Sequence, residues 1–168
     1  ALSSSVVGVL LILAALAIAY TAPPFKLSYR SLGELDVGIT HSIGVLLCGY
    51  VFLGGSWSDP LPWLLSVPLL IAILPSIILS GVPDLDADAA VGKRTLAVRF
   101  GARGALRLAM GFTVLAAALA VVWQSFNLAA GAYAGIAYFV VPHAGYLCWL
   151  LKRRLRSERP DGRMDGLM

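Results

Sequence analysis

The polar positions of this chain come in bursts between long apolar runs, with little of the alternation that strands require. Five runs approach the length needed to cross about 30 Å of hydrocarbon. They are Leu2 to Tyr20, Leu35 to Leu53, Leu61 to Ser80, Gly104 to Trp123 and Asn127 to Leu151. Lipid offers the backbone no hydrogen-bonding partner, so apolar runs without alternation predict helices rather than a barrel. The expected fold is an all-α, multi-pass transmembrane bundle of five spans over residues 1–151, with a polar, disordered tail over 152–168. Prolines punctuate it: Pro23 and Pro24 close the first span, and Pro68 and Pro75 lie seven apart on one face of the third, where each permits a bend. Ser80-Gly81-Val82-Pro83 then interrupts the chain, followed either by a new short helix or by an extension of the third span.

Composition strengthens the membrane reading. The 168 residues are 59% hydrophobic with a mean hydropathy of +0.84, too apolar for a water-soluble domain. The net charge of +4 would fit nucleic acid, but the placement of the 13 Lys and Arg residues argues for topology instead. Lys26 and Arg30 follow the first span; Lys93, Arg94, Arg99, Arg103 and Arg107 flank the third-to-fourth junction; the rest follow the fifth. The connections at 54–60 and 124–126 carry none. These basic segments alternate onto one face, which the positive-inside rule makes cytoplasmic, with some attraction to anionic lipid and no role for nucleic acid. Cys48 and Cys148 lie in spans without metal-ligand spacing and read as small hydrophobes.

The stretch from Asp84 to Gly101, DLDADAAVGKRTLAVRFG, sets three carboxylates and then Lys93-Arg94 beside a span. On a helix Asp84 and Asp88 share a face while Asp86 points away, leaving the pair free to grip one divalent cation. Magnesium is typically held by one or two carboxylates plus substrate phosphates, and Lys93 and Arg94 are suited to a phosphorylated substrate. A solvated charge run would explain the polarity but not the order, acidic at the span end and basic beyond it. A calcium-binding EF-hand loop is excluded, because its glycine and final glutamate positions hold Ala89 and Thr95.

DxxxD followed by Gly92-Lys93-Arg94-Thr95-Leu96-Ala97-Val98-Arg99-Phe100-Gly101 resembles the second aspartate-rich motif of the UbiA-type intramembrane aromatic prenyltransferases. Tyr20-Thr21-Ala22-Pro23-Pro24-Phe25-Lys26-Leu27-Ser28-Tyr29-Arg30, running into Leu32-Gly33-Glu34, is similar to that family's loop between its fourth and fifth spans. The resemblance covers the chain as the family's C-terminal half. It implies magnesium-dependent transfer of a prenyl group from an allylic prenyl diphosphate to an aromatic acceptor, at the cytoplasmic face of a bacterial or archaeal membrane. Asp84 and Asp88 would hold Mg²⁺; Lys26, Lys93 and Arg94 would meet the diphosphate; Tyr20 would contact the acceptor. The loop looks nearest the quinone and chlorophyll branches, with dihydroxynaphthoate prenylation in menaquinone synthesis the leading acceptor reading. The family also implies a first motif resembling NDxxDxxxD, expected with further spans before Ala1.

Other readings remain. A transporter fragment would spread charge along a pathway, and a non-catalytic membrane module would tolerate loss of the aspartate pair. Glu34 and Asp36 read as solvated or paired with a loop arginine, and His41 as a hydrogen-bonding link to a neighbouring helix. Arg30 reads equally as a snorkelling residue. Tyr133, Tyr138, Pro142, His143, Tyr146 and Trp149 in the fifth run read as core ahead of a lining for a prenyl tail. Asp161 and Asp165 repeat the DxxxD spacing by chance.

Overall fold

A computed structural model describes residues 4–127 and 134–157. It is helical, with no strand among the described residues. Helix α1 covers Ser4–Thr21, and a short 3-10 turn covers Leu27–Tyr29. A second span is built from α2 (Gly33–Ile39), a π turn (Thr40–Gly44) and α3 (Val45–Phe52). Then come α4 (Pro60–Ser80), α5 (Leu85–Ala90), α6 (Leu96–Ser125) and α7 (Ile136–Leu155). Among the described residues, four segments are long and apolar enough to cross a membrane: Ser4–Thr21, Gly33–Phe52, Pro60–Ser80 and Leu96–Ser125. The fifth expected run lies partly outside the described residues. Its described part, α7, carries Lys152, Arg153 and Arg154 in its last turn and so extends past the expected end at Leu151.

The π turn has a local cause. Thr40 Oγ1 donates to the carbonyls of Asp36 and Val37, and Ser42 Oγ donates to Gly38 O at 2.6 Å, so hydroxyls compete for carbonyls of the preceding turn. His41 belongs to the same turn: its Nδ1 lies 2.9 Å from Val37 O, so the imidazole serves its own helix rather than a neighbouring one.

Helix α6 organises the packing because its buried stripe is made of small residues: Ala105, Ala109, Thr113, Ala116 and Ala120. Small side chains let helix backbones approach where lipid provides no hydrophobic drive. Against this stripe, α4 and α7 form one core, in which Leu74, Ile78, Leu79 and Val82 meet Ala97, Leu106 and Leu151. Pro68 and Pro75 are both buried, on the face α4 turns toward the bundle. A second core joins α1 to α3 through Val6, Val9, Leu47 and Val51. Helices α6 and α7 run antiparallel. Gln124 Oε1 accepts from Ala137 N at 3.0 Å at one end, while Leu151 packs with Leu106 toward the other. Consequently the start of α7 lies far from the junction of α4 and α6, and its basic last turn returns to it.

Gly101 breaks α6 near its start, with φ 68 and ψ 170. An added Cβ there would meet nothing within 4 Å, so the requirement is conformational rather than spatial: only glycine takes this backbone without strain. The break separates the Leu96–Phe100 turn at the membrane edge from the spanning part of α6.

The aromatic residues of α7 are not core. Tyr138 is 77% exposed, and Tyr146 and Trp149 lie on the outside with Phe139, the first pair stacked at 5.9 Å. The buried face of α7 is held by Ala144 and Leu151 instead, because α6 presents alanines that a large ring would hold apart. Tyr133, the acids at 161 and 165, and the tail beyond 157 lie outside the described residues.

Candidate metal and diphosphate site

The chain breaks after Ser80, and α5 starts as a separate short helix with Asp84 at its N-cap position. The Asp84 side chain makes no capping bond to the backbone and stays available to a ligand. Asp88 N donates to Asp84 O at 2.8 Å, so the two aspartates sit one helical turn apart. Both face a cleft of about 230 Å³ that is also lined by Tyr20, Glu34, Ser80, Lys93 and Thr95. Asp86 is exposed and does not line it.

Lys93 Nζ lies 2.8 Å from Asp88 Oδ1. That hydrogen bond, opposed by desolvation and aided by the carboxylate charge, holds the Lys93 ammonium above its ordinary value of 10.5. Lys93 is positioned by its neighbours: its own N–H donates to Asp88 O at 3.0 Å, and Thr95 Oγ1 caps α6 by accepting from Val98 N.

The loop from the first span is stitched to this one. Ser28, 1% exposed, donates through Oγ to Tyr20 O at 2.9 Å, and its carbonyl accepts from Arg94 N at 3.2 Å. Gly33 makes the contact close: a Cβ there would stand 3.1 Å from Ser28 Cα and 3.2 Å from the Tyr20 ring.

Of the six residues singled out in the sequence, Tyr20, Asp84, Asp88 and Lys93 share the cleft. Lys26 and Arg94 do not. Lys26 adopts a left-handed backbone (φ 45) and sets its Nζ 5.6 Å from the Tyr29 ring centroid. Arg94 lines a separate basic cleft with Tyr29, Arg30 and Arg99. Lys93 and Arg94 are consecutive in the non-helical link between α5 and α6, and their side chains line different clefts.

Glu34 is the residue that sequence reasoning misplaced. It is neither solvated nor paired with an arginine but 8% exposed, and its Oε1 accepts from Leu96 N at 2.5 Å across 62 positions of sequence. The carboxylate thereby ties the first turn of α2 to the first turn of α6, where unpaired N–H groups and the helix dipole favour an anion. Asp36 is also buried, at 6% exposure. The available signal was position: an acid where an apolar span begins is costly unless it has a partner.

Among the described residues no group of three or more His, Cys, Asp or Glu is placed to hold a metal. Two carboxylates with room beside them do fit magnesium, which retains waters and completes its shell from substrate phosphate.

Compared with known proteins, the chain matches the UbiA prenyltransferase family over residues 1–165. It belongs to that family. It is 30% identical over 120 residues to a chloroplastic 2-acyl-4-prenylphloroglucinol 6-prenyltransferase from Humulus lupulus, covering 64% of this chain and 29% of that protein. It is 34% identical over 102 residues to a lycopene elongase/hydratase from Corynebacterium glutamicum, covering 61% of this chain and 35% of the relative. A UbiA prenyltransferase domain-containing protein 1 from Dictyostelium discoideum is 29% identical over 100 residues, covering 59% of this chain and 30% of its own length. The chain thus spans about a third of the length of these curated relatives. No solved structure matches it significantly. Family membership and four apolar helices together describe a multi-pass membrane protein.

Proposed function

We propose that the chain forms the diphosphate-binding part of a magnesium-dependent prenyltransferase that joins an allylic prenyl group to an electron-rich aromatic acceptor. The observation that carries this reading is the convergence of Asp84, Asp88, Lys93 and Tyr20 on one cleft at the basic end of the bundle. Asp84 and Asp88 would hold the magnesium, which supplies charge neutralisation to the departing diphosphate. Lys93 exchanges its bond to Asp88 for one to a phosphate oxygen, adding positive charge where negative charge develops. The allylic C–O bond breaks with its electron pair passing to the diphosphate. The carbon left behind accepts a pair from the aromatic ring, and the ring then releases a proton to restore aromaticity. Tyr20, at the cleft wall, positions that ring. The apolar spans beside the cleft would limit the water that could otherwise capture the cation.

A diphosphate carries more charge than one aspartate pair and one metal balance, so the reading includes a second acidic loop of the NDxxDxxxD type that would hold a second magnesium across from this cleft. A dihydroxynaphthoate acceptor, as in menaquinone synthesis, remains the leading assignment. The lycopene elongase/hydratase relative favours a second reading, in which the nucleophile is an electron-rich alkene. The test is prenyl transfer in membranes containing the chain together with a segment bearing NDxxDxxxD, with aromatic and polyene acceptors. Asp84→Ala and Asp88→Ala should each remove at least ~100-fold of the magnesium-dependent rate, the scale of losing one preorganised electrostatic group, while Asp86→Ala should be milder. Near-normal turnover in Asp84→Ala would sink the assignment.

A further inference from the structure

The basic cleft on the other side of the Lys93-Arg94 link is a site of its own. It holds about 560 Å³ and is lined by Tyr29, Arg30, Ser31, Arg94, Val98 and Arg99, with no acidic residue among them. The aspartate pair faces the other cleft, so this one offers guanidinium groups without the carboxylates that a metal-bridged diphosphate would use. Arginine forks match phosphate oxygens in bidentate geometry. Arg30 is already braced, its Nη2 donating to Pro24 O at 3.0 Å.

An apolar groove adjoins the cleft. The Arg99 guanidinium lies 5.4 Å from the Phe100 ring centroid. Phe100 in turn opens a largely apolar groove of about 450 Å³ along α6, lined by Gly104, Leu108, Gly111, Phe112 and Leu115, with Arg107 the one charged residue on it. These positions recur every three to four residues and so share one helix face. From Gly104 to Leu115 the groove runs about 16 Å at the usual helical rise, close to one leaflet of a hydrocarbon core about 30 Å thick. The arginine cleft therefore neighbours an acyl-length groove along the span, with the Arg99–Phe100 contact between them.

We infer that Arg30, Arg94 and Arg99 together with the Phe100–Leu115 groove bind one anionic phospholipid of the adjacent leaflet, head in the arginine cleft and one acyl chain along α6. Basic pockets beside spans on the positive face are where anionic headgroups dock. The inference is independent of the proposed chemistry, because it uses none of the residues that line the aspartate cleft.

The test is native mass spectrometry of the delipidated chain in detergent, titrated with dioleoylphosphatidylglycerol or dioleoylphosphatidylcholine. The glycerol lipid should bind at least tenfold more tightly than the choline lipid. The double variant Arg30→Gln/Arg99→Gln should bind it roughly thirtyfold more weakly, from about fivefold per arginine near a membrane surface. Gly111→Trp, at a position where an added Cβ meets nothing within 4 Å, should fill the groove and weaken retention of both lipids. Equal binding of the two lipids, or unchanged binding in either variant, would overturn the inference. So would displacement by magnesium-free geranylgeranyl diphosphate, which would make this a substrate site, or by inorganic phosphate alone, which would make the groove irrelevant.

Discussion

Replacing Glu34 with alanine tests the link between the two loops that build the cleft. The side chain is buried, and one oxygen takes the Leu96 N–H at the N-terminus of α6 at 2.5 Å. A hydrogen bond to a charged group contributes about 1.5–3 kcal/mol, and an anion at a helix N-terminus about 0.3–1 kcal/mol more. Burial of the carboxylate works against these gains: Oε2 is buried with no hydrogen-bond partner, and alanine relieves that cost. The expected net loss is about 2 kcal/mol, felt locally as opening of the first turn of α6. Amide hydrogen exchange on the chain in nanodiscs reads it directly, since this energy corresponds to roughly thirtyfold faster exchange at Leu96. Glu34→Gln keeps an acceptor oxygen but loses the charge, so exchange should rise only about fivefold, matching a neutral hydrogen bond near 1 kcal/mol. Unchanged Leu96 protection in Glu34→Ala would show that packing of α4 on α6, not the carboxylate, holds this turn, and would refute the reasoning.

Three other consequences are open to measurement. In a chain lacking Cys48 and Cys148, single cysteines at Ser58 and Asp86, both exposed, should label from opposite sides of the membrane, with Asp86 on the cytoplasmic side; labelling from one side would overturn the topology. Because Asp88 raises the Lys93 pKa above 10.5, the ion pair contributes in full below that value and is lost only as pH climbs through the higher folded one. At pH 10, then, Asp88→Asn should make the Lys93 amine react faster with trinitrobenzenesulfonate, and an unaltered rate would mean that the pair is absent in solution. Gly33→Ala forces a methyl to within 3.1 Å of the Ser28 backbone, so the Tyr20 ring should shift. Overpacking of this kind costs about 1–3 kcal/mol, and acceptor KM should rise more than prenyl diphosphate KM; equal changes would deny Tyr20 its positioning role.

What the sequence determined by itself was whatever depends on near neighbours or on the solvent. Apolar runs of bilayer length specify helices because hydrocarbon leaves the backbone no alternative, and the four-residue spacing of Asp84 and Asp88 puts both on one face of the short helix α5. The extended motif from Gly92 to Gly101 carried the family resemblance, which the match over residues 1–165 confirms. Only the tertiary structure decided the rest. Lys93 and Arg94 are adjacent in sequence yet line different clefts, on either side of the non-helical link between α5 and α6. Glu34 looked like an interfacial charge until folding brought it to Leu96, and α7 turned its aromatic residues outward because α6 packs through alanine. Each of these outcomes rests on a contact between residues distant in sequence or on which surface a partner helix presents, and neither is encoded in local periodicity.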